Sequence, residues 1–472
     1  MKKHGQKRSF MLRLLLVAVV LIATYDGASA GARIAAGRQT LHAGRQSQNQ
    51  QSGAPVLAPP IAAEHGPNSA EQQAKHYVIL VSLDGFRYDY PQKYDAKNLI
   101  ELGARGASAP EGMIPAYPSI TFPNHYTIVT GLYPEHHGIV ANTFYDPARK
   151  QVYSYREPQT VTDGSWYGGT PLWVLAEQQG MRAACFFWPG SEADIQGTRP
   201  SYYMKYDAKY PNDKRVEEVL EWLQLPPERR PHFVTLYFSD VDSVGHAHGP
   251  DGPEEAAAVH QVDQEIGSLE AGLAKLKLPV DVIVVADHGM ISVEGAWIDL
   301  DQYFDTSLLE KSEDSLIYAK SGADAAMIYD GLNGKSDKFR AYRRGLMPES
   351  LHFDGNPREG DPIVVPTGPY LIRVSEPPAP PAGAAGNAMA GGHGNAPPVG
   401  AHGYDAAHMP EMKAIFYAAG PDIRSGATVP PFENVNVYPL IAHILKLDIS
   451  NLKTGPIDGK LTVLQGVLKN PS

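Results

Sequence analysis

The 472-residue sequence contains one cysteine, Cys185. A single cysteine excludes an intrachain disulfide, and with it the small extracellular modules that depend on disulfide bonds for stability. Cys185 lies in the apolar run 184–188, where we expect a buried and unreactive side chain. A chain of this length, with 43% hydrophobic residues, can bury a large core without covalent cross-links.

Positive charge is also scarce. The sequence has 41 Lys and Arg residues against 52 Asp and Glu residues, a formal net charge of −11. This balance argues against a basic surface for non-specific nucleic-acid binding. It does not exclude a phosphate-containing substrate, because bound metal cations can reverse the local field. We therefore expect a small-molecule substrate and no nucleic-acid-binding surface, and nothing in the sequence implies a protein partner.

Near the N-terminus, the apolar run 14–23 has ten residues, fewer than the roughly 20 that a membrane-spanning helix needs. Five Lys or Arg residues precede it, and Ala28-Ser29-Ala30 follows it. This pattern predicts a secretory signal peptide over residues 1–30, with an uncleaved anchor as the less favoured alternative. Cleavage would remove a net charge of +4 and leave −15. We expect an exported protein, secreted or periplasmic in a bacterium, without a membrane span after cleavage.

The remaining chain divides by composition. Residues 31–75 are rich in Ala, Gly, Gln, Ser and Pro and predict a flexible linker before one domain over residues 76–472. Within that domain, apolar strands such as Tyr77–Leu83, His232–Phe238 and Val280–Ala286 alternate with helical segments. The alternation predicts an α/β fold, a doubly wound and mostly parallel sheet with helices on both faces.

Residues 305–401 interrupt the alternation, and we interpret them as an insertion in the domain. Short alternating runs, such as Ala325–Tyr329 and Tyr370–Val374, predict a small antiparallel cap. Residues 376–401 are rich in Pro, Gly and Ala and predict a loop.

Three predicted strands are followed by acidic residues, Asp84, Asp242 and Asp287. The carboxyl ends of parallel strands meet at one edge of a sheet, so these carboxylates should converge. Any one of them alone would be interpreted as a helix cap or turn residue. However, His246 lies four residues after Asp242, and His288 follows Asp287 directly. The mixture of oxygen and nitrogen ligands suits zinc, with manganese or iron also open.

A third element is the segment Pro118–His125, which precedes the apolar-periodic stretch Tyr126–Leu132. A hydroxyl at the start of a helix lies where backbone N–H groups and the helix dipole favour negative charge. A threonine hydroxyl is a poor nucleophile unless a base or a metal activates it. From these considerations alone, helix capping by Ser119 or Thr121 is the favoured interpretation.

The motifs occur together in a specific order. They are Asp84-Gly85-Phe86-Arg87; Pro118 to Tyr126; Thr130 to Pro134 with His137-Gly138-Ile139; Asp242 to His246 with Gly249-Pro250; Asp287 to Met290; and His402-Gly403-Tyr404-Asp405 with Ala419-Gly420-Pro421. With this set the chain resembles the nucleotide pyrophosphatase/phosphodiesterases of the alkaline phosphatase superfamily, particularly their single-domain bacterial members. The resemblance extends over residues 77–459 and implies an alkaline-phosphatase-like fold.

The resemblance also implies two zinc ions and a threonine nucleophile. The residues implied for one zinc are Asp84, Thr121, Asp287 and His288, and those implied for the other are Asp242, His246 and His402. Thr121 would attack phosphorus to form a covalent phospho-enzyme, and Asn142 would donate to a phosphoryl oxygen. Of the two histidines near the Pro/Gly/Ala-rich loop, His402 has the matching sequence context and His393 does not.

In relatives that cleave nucleotides, two aromatic side chains enclose the base. Phe122 and Tyr237 match those positions here, although packing in the core explains both residues equally well. We therefore expect an enzyme that hydrolyses nucleotide pyrophosphate or phosphodiester bonds to nucleoside monophosphates.

Several alternatives remain. A phosphocholine-type phospholipid diesterase or a phosphomonoesterase could use the same two-zinc site. A sulfatase would need a Cys or Ser in a context that Cys185 lacks. A non-catalytic binding protein on a degenerate fold would be expected to have lost a ligand or the nucleophile, and none of the seven side chains is missing.

Overall fold

The computed structural model describes residues 57–63, 65–375 and 396–470. The predicted signal peptide, residues 31–56 of the predicted linker, and residues 376–395, which include His393, lie outside the described residues.

The core of the fold is a nine-stranded sheet. In spatial order its strands are Ile61–Ala62, Tyr202–Tyr203, Ala183–Phe186, Phe233–Phe238, Tyr77–Leu83, Val280–Val285, Phe416–Ala419, Ala107–Ser108 and Ala427–Thr428. The five strands from Tyr202–Tyr203 to Val280–Val285 are parallel to one another, and the strands that flank this set on either side are antiparallel to it. This arrangement confirms the predicted mostly parallel α/β sheet.

Every residue of the Tyr77–Leu83 and Phe233–Phe238 strands is buried. Successive side chains of a strand point to opposite faces of the sheet, so both faces must be covered. The described α-helices are Tyr90–Lys93, Lys97–Arg105, Thr121–Thr130, Pro134–His137, Pro158–Val161, Leu172–Gln178, Asn212–Trp222, Asp240–His248, Pro253–Leu276, Gly322–Leu332, Val437–Ile444 and Leu461–Leu464. Among the described helices, none is both long enough and apolar enough to cross a bilayer.

The described part of the chain begins before the predicted start at His76, so the linker prediction is wrong for residues 57–63 and 65–75. Ile61–Ala62 pairs antiparallel with Tyr202–Tyr203. The buried side chain of Asn68 donates to the carbonyls of Pro227 and Arg230, at 2.8 and 2.7 Å. Polar side-chain contacts of this kind leave no apolar periodicity in the sequence, which is why the segment was not recognised.

Residues 305–375 contain two antiparallel ribbons. One pairs Leu309–Glu313 with Leu316–Ala319, and the other pairs Phe339–Tyr342 with Ile363–Pro366. The predicted alternating run Ala325–Tyr329 is wrong, because it lies within the helix Gly322–Leu332. The hydroxyl of Ser321 caps this helix by accepting from the Asp324 amide at 3.2 Å.

Four short strand pairs complete the described sheets. They are Met113–Ile114 with Phe432–Glu433, Thr143–Asp146 with Gln151–Ser154, Ile291–Ser292 with Gly400–Ala401, and Ile298–Asp299 with Ile372–Arg373. The last pair is parallel, whereas the run Tyr370–Val374 was predicted to be part of an antiparallel cap.

Candidate active site

Three neighbouring parallel strands position the three predicted carboxylates at one edge of the sheet, at the carboxyl ends of the strands. Asp84 follows the Tyr77–Leu83 strand, Asp242 lies in the first turn of the helix after Phe233–Phe238, and Asp287 follows Val280–Val285. The loops approach each other closely at Gly85, whose φ is +69°. A Cβ atom there would lie 2.8 Å from the Asp242 Cα, so only glycine fits without displacement.

The first cluster contains Asp84, Asp287 and His288, whose ligand atoms all lie within 4.8 Å of one another. The His288 Nε2 atom is 2.9 Å from Asp287 Oδ2 and 3.7 Å from Asp84 Oδ1. It is also 3.4 Å from the Thr121 Oγ1 atom. The four side chains that the resemblance implied for one zinc therefore lie together.

The second cluster contains Asp242, His246 and His402. Asp242 Oδ1 is 3.4 Å from His246 Nε2 and 3.6 Å from His402 Nε2, and the two Nε2 atoms are 3.1 Å apart. The ring of His402 stacks on that of His288, with centroids 3.6 Å apart, so the two clusters are adjacent.

The tautomers of the three histidines suit metal binding. In each ring, Nδ1 lies 2.8 to 2.9 Å from a backbone carbonyl oxygen and can donate its proton there. The accepting carbonyls are those of Gly400 for His246, Gly289 for His288 and Ser119 for His402. In a neutral ring that donates from Nδ1, Nε2 is the unprotonated atom that faces the carboxylates, the arrangement found around metal-bound histidines.

Some buried carboxylate oxygens of the two clusters lack hydrogen-bond donors, as expected for atoms that coordinate cations. Asp84 Oδ1 and Asp242 Oδ1 are buried atoms without a hydrogen-bond partner among the described residues, and Asp287 Oδ2 lies 2.9 Å from His288 Nε2 and 3.3 Å from His125 Nδ1. Burial, together with the charges of Asp287 and Asp242, raises the pKa of Asp84 well above its ordinary value. Buried carboxylates at such short range are normally neutralised, and the donor set is one that divalent cations complete.

Thr121 is the first residue of the helix Thr121–Thr130, and the N-cap position belongs to Ile120. The favoured interpretation of Thr121 as a cap is therefore wrong. Ser119 does not cap the helix either: its hydroxyl donates to the Tyr404 carbonyl at 2.8 Å and accepts from the Gly403 amide at 3.1 Å. These contacts fix the loop that carries His402.

Asn142 lies beside the first turn of this helix. Its Oδ1 atom accepts a hydrogen bond from the Phe122 amide at 2.9 Å. Because the backbone amide can only donate, the carboxamide orientation is fixed, and the NH₂ group of Asn142 points away from the helix. Among the described residues, the NH₂ group makes no hydrogen bond, so it can donate to a ligand.

The two aromatic candidates differ in accessibility. Phe122 is half-buried, with the ring of Tyr155 5.4 Å away. Tyr237 is only 7% exposed, and its hydroxyl donates to Asp84 Oδ2 at 2.5 Å. The structure therefore contradicts the prediction that Tyr237 offers a stacking face.

An aromatic residue that the sequence analysis missed lies nearby. Tyr206 is 50% exposed, and its ring centroid is 6.1 Å from that of Tyr237. Burial, together with the charges of Asp84 and Asp242, raises the pKa of its phenol. In the sequence, Tyr206 is one of several tyrosines in an irregular stretch, and no pattern distinguishes it.

The sequence matches the family model described as "Type I phosphodiesterase / nucleotide pyrophosphatase" over residues 78–405. The chain belongs to this family. It is 35% identical over 392 residues to an uncharacterized pyrophosphatase/phosphodiesterase of Schizosaccharomyces pombe, covering 78% of this chain and 77% of that protein.

Longer members of the family are also similar. Human ectonucleotide pyrophosphatase/phosphodiesterase family member 1 is 34% identical over 84% of this chain, and venom phosphodiesterase of Macrovipera lebetinus is 35% identical over 87%. The chain spans less than half the length of these two relatives, 42% and 47% respectively. Among solved structures, murine ectonucleotide pyrophosphatase/phosphodiesterase 5 superposes with a TM-score of 0.74 and 29% identity. The match covers 84% of this chain and all of that one.

Proposed function

We propose that this chain is a metal-dependent hydrolase that cleaves nucleotide pyrophosphate or phosphodiester bonds and releases nucleoside monophosphates. The observation that carries the proposal is the position of the Thr121 hydroxyl, 3.4 Å from His288 Nε2, beside a buried set of acidic and histidine side chains. Membership of the family supports the reaction class. An inactive variant of the murine structural relative was solved in complex with AMP, which supports a nucleotide substrate.

Two zinc ions fit the donor set, one in each cluster. The proposed ligands are Asp84, Thr121, Asp287 and His288 for one ion, and Asp242, His246 and His402 for the other. When bound, a pair of divalent cations supplies Lewis acidity and neutralises charge on phosphoryl oxygens.

Thr121 is the proposed nucleophile. Its oxygen forms a bond to phosphorus while the bond from phosphorus to the leaving oxygen breaks, and the hydroxyl proton passes to solvent. Water then hydrolyses the resulting phosphothreonine ester, releasing the nucleoside monophosphate and restoring the hydroxyl. The location of Thr121 at a helix N-terminus adds backbone N–H groups and the helix dipole where negative charge develops.

Asn142 is proposed to donate its free NH₂ group to a non-bridging phosphoryl oxygen. A neutral donor suits a phosphodiester, which carries one negative charge, better than a phosphomonoester, which carries two at alkaline pH. This feature favours diester cleavage over the monoesterase alternative.

Phe122 and Tyr206 are the proposed contacts for the nucleotide base. Phe122 directly follows the nucleophile, and Tyr206 is the exposed aromatic residue close to Asp84 and Asp242. Tyr237 instead holds Asp84 in position through its hydroxyl.

We also propose that the protein is exported. The relatives that the chain matches include proteins named as venom enzymes and as ectonucleotide pyrophosphatases.

A substrate panel tests the proposal. The zinc-loaded protein is assayed with p-nitrophenyl thymidine monophosphate and ATP, and with p-nitrophenyl phosphate and a p-nitrophenyl phosphocholine diester as comparisons. We expect the highest kcat/KM for the nucleotide substrates. A preference for the phosphocholine diester would be compatible with the proposed metal site but would contradict the proposed nucleotide contacts. Cleavage of the monoester alone would contradict the diesterase mechanism.

A further inference from the structure

A third group of side chains of the types that bind metals lies at the opposite end of the strands of the central sheet. His76 directly precedes the Tyr77–Leu83 strand, and Asp281 is the second residue of the parallel neighbour Val280–Val285. Asp422 follows the antiparallel strand Phe416–Ala419. Asp281 and Asp287 are separated by six residues, so the two ends are roughly 20 Å apart along the strand. The group is therefore separate from the candidate active site.

The three side chains converge closely. Their ligand atoms all lie within 4.8 Å of one another. His76 Nδ1 is 2.6 Å from Asp422 Oδ2, and the Asp422 amide donates to Asp281 Oδ1 at 3.0 Å. The His76 and Asp422 side chains are 39% and 30% exposed, which leaves a route to solvent.

The burial of the Asp281 carboxylate is not explained by its contacts with the described residues. It is fully buried, and its Oδ2 atom has no hydrogen-bond partner among the described residues. The nearby Lys469 donates instead to the carbonyls of Gly420 and Pro421, at 3.4 and 2.9 Å. Burial, and secondarily the charge of Asp422, raises the pKa of Asp281 to about 8, so the carboxylate lacks adequate compensation.

The backbone is built closely around this carboxylate. A Cβ atom on Gly420 would lie only 2.3 Å from Asp281 Oδ1. Glycine at this position therefore allows the loop that carries Asp422 to pass directly over Asp281. The close approach holds the two carboxylates and the imidazole in one place.

We propose that His76, Asp281 and Asp422 form a third divalent-cation site, of the zinc class, that joins the starts of two core strands to the loop after a third. One imidazole nitrogen and two carboxylate oxygens form a donor set that zinc accepts, with water completing the coordination. The hydrogen bond between His76 and Asp422 is exchanged for coordination by both side chains. The site is structural, because no side chain proposed for catalysis lies at this end of the strands.

The test measures zinc per chain by mass spectrometry after equilibration with zinc chloride and gel filtration. The variants are His76→Gln and Asp422→Asn, and His136→Gln is the matched control. His136 also pairs with an aspartate, Asp458, with 2.7 Å between Nδ1 and Oδ2, but these two residues are not part of a three-ligand group among the described residues. The control therefore removes an exposed histidine of the same kind without removing the proposed site.

We expect the wild type and His136→Gln to bind equal amounts of zinc, and His76→Gln and Asp422→Asn each to bind about one ion fewer. Turnover of p-nitrophenyl thymidine monophosphate should stay within about two-fold of wild type in all three variants. Equal zinc content in all four proteins would overturn the proposal and would indicate that Asp281 is neutralised by a proton. The result is independent of the proposed function, because it is a difference between variants that does not require activity.

Discussion

The Tyr237 hydroxyl donates a hydrogen bond to Asp84 Oδ2 at 2.5 Å, while Asp84 Oδ1 is left without a hydrogen-bond partner among the described residues. One oxygen of this carboxylate is thus held by the protein, and the other faces His288 Nε2 at 3.7 Å. A carboxylate oriented in this way is prepared for a cation on its open side. The relationship also explains why Tyr237 is buried and cannot stack on a base.

Replacing Tyr237 with phenylalanine should weaken metal binding and have little effect on base recognition. Loss of a hydrogen bond that orients a ligand typically lowers metal affinity about 10- to 100-fold. We expect the Tyr237→Phe variant to need correspondingly more free zinc for half-maximal turnover, with near-normal KM for nucleotides once zinc is saturating. Zinc titrations of activity in buffered metal solutions measure this. An unchanged zinc requirement, or a raised KM at saturating zinc, would indicate that Tyr237 contacts the substrate and does not orient Asp84.

Removing the exposed ring of Tyr206 should affect nucleotide substrates selectively. Stacking of a base on an aromatic side chain contributes about 1–3 kcal/mol. The Tyr206→Ala variant is therefore expected to lose about 5- to 150-fold in kcat/KM for p-nitrophenyl thymidine monophosphate. It should hydrolyse bis-p-nitrophenyl phosphate, which has no base, nearly as well as the wild type.

Met327→Ala serves as the control for Tyr206→Ala, because Met327 is equally exposed, at 51% against 50%, and lies in the insertion. It should leave both substrates unaffected. Equal losses on the two substrates in Tyr206→Ala would show that Tyr206 supports the site structurally and does not bind the base.

Two glycines with similar backbone conformations allow the effect of backbone strain on stability to be measured separately from the effect of a steric clash. Gly85 has φ of +69° and Gly197 has φ of +72°. A Cβ atom at Gly85 would lie 2.8 Å from the Asp242 Cα, whereas at Gly197 nothing lies within 4 Å. Gly197→Ala should lower the free energy of unfolding by about 1–2 kcal/mol, the strain of an L-residue in this region.

Gly85→Ala should cost a further 1–3 kcal/mol, about the penalty for overpacking, and should also reduce turnover because Asp242 is displaced. Urea unfolding of the two variants measures the difference in free energy. Equal destabilisation, with full activity in both, would contradict the close approach of the two loops.

The buried carboxyl of Glu359 should make stability depend on pH. Glu359 is fully buried, its Oε2 atom accepts from the Asn356 amide at 2.9 Å, and its Oε1 atom has no hydrogen-bond partner among the described residues. Burial, and secondarily the nearby Glu135 and Asp354, raises its pKa to about 8, although Arg344 acts in the opposite direction. Below the unfolded pKa of about 4.3 both states bind the proton, so the group causes no difference.

Between about pH 4.3 and pH 8 the folded state keeps the proton and the unfolded state releases it, so stability falls as pH rises. In this range the unfolding free energy of the wild type should fall with rising pH more steeply than that of the Glu359→Gln variant. The difference between the two slopes should be up to about 1.4 kcal/mol per pH unit. Urea unfolding at pH 5, 6 and 7 measures both slopes. Identical slopes would mean that Glu359 is ionised in the folded protein.

The positions of the carboxylates could be predicted from sequence because strand ends are a topological property. Buried β-branched runs such as residues 280–285 identify parallel strands, and in such sheets Asp84 and Asp287 must lie at one edge. The contacts between ligands, for example the stacking of His402 on His288, join residues far apart in sequence. Local patterns do not encode them, and His402 could be named only from the resemblance.

The incorrect predictions arise where tertiary contacts decide the outcome. The direction of the Phe416–Ala419 strand, which is antiparallel to its neighbour Val280–Val285, is not encoded in its sequence, because its apolar run resembles those of the parallel strands. The segment 325–329 is predicted to be an alternating run, but its residues Ala-Ala-Met-Ile-Tyr do not alternate in polarity; its alanines favour a helix, and Ser321 caps it. Tyr237 and Tyr206 could not be distinguished from sequence, because only the fold shows which hydroxyl reaches Asp84 and which ring is exposed.

The zinc-loaded variants Thr121→Ala and Thr121→Ser test whether Thr121 is the nucleophile of a metal-dependent phosphodiesterase. The measurement is the rate of p-nitrophenolate release from p-nitrophenyl thymidine monophosphate, with zinc content determined on the same samples. We expect the alanine variant to retain most of its zinc but to lose roughly 10³-fold or more in kcat, a drop of at least about 4 kcal/mol in transition-state stabilisation. The serine variant, which keeps a hydroxyl, should retain substantial activity. An alanine variant with near-normal turnover would contradict the covalent mechanism and the assignment of Thr121.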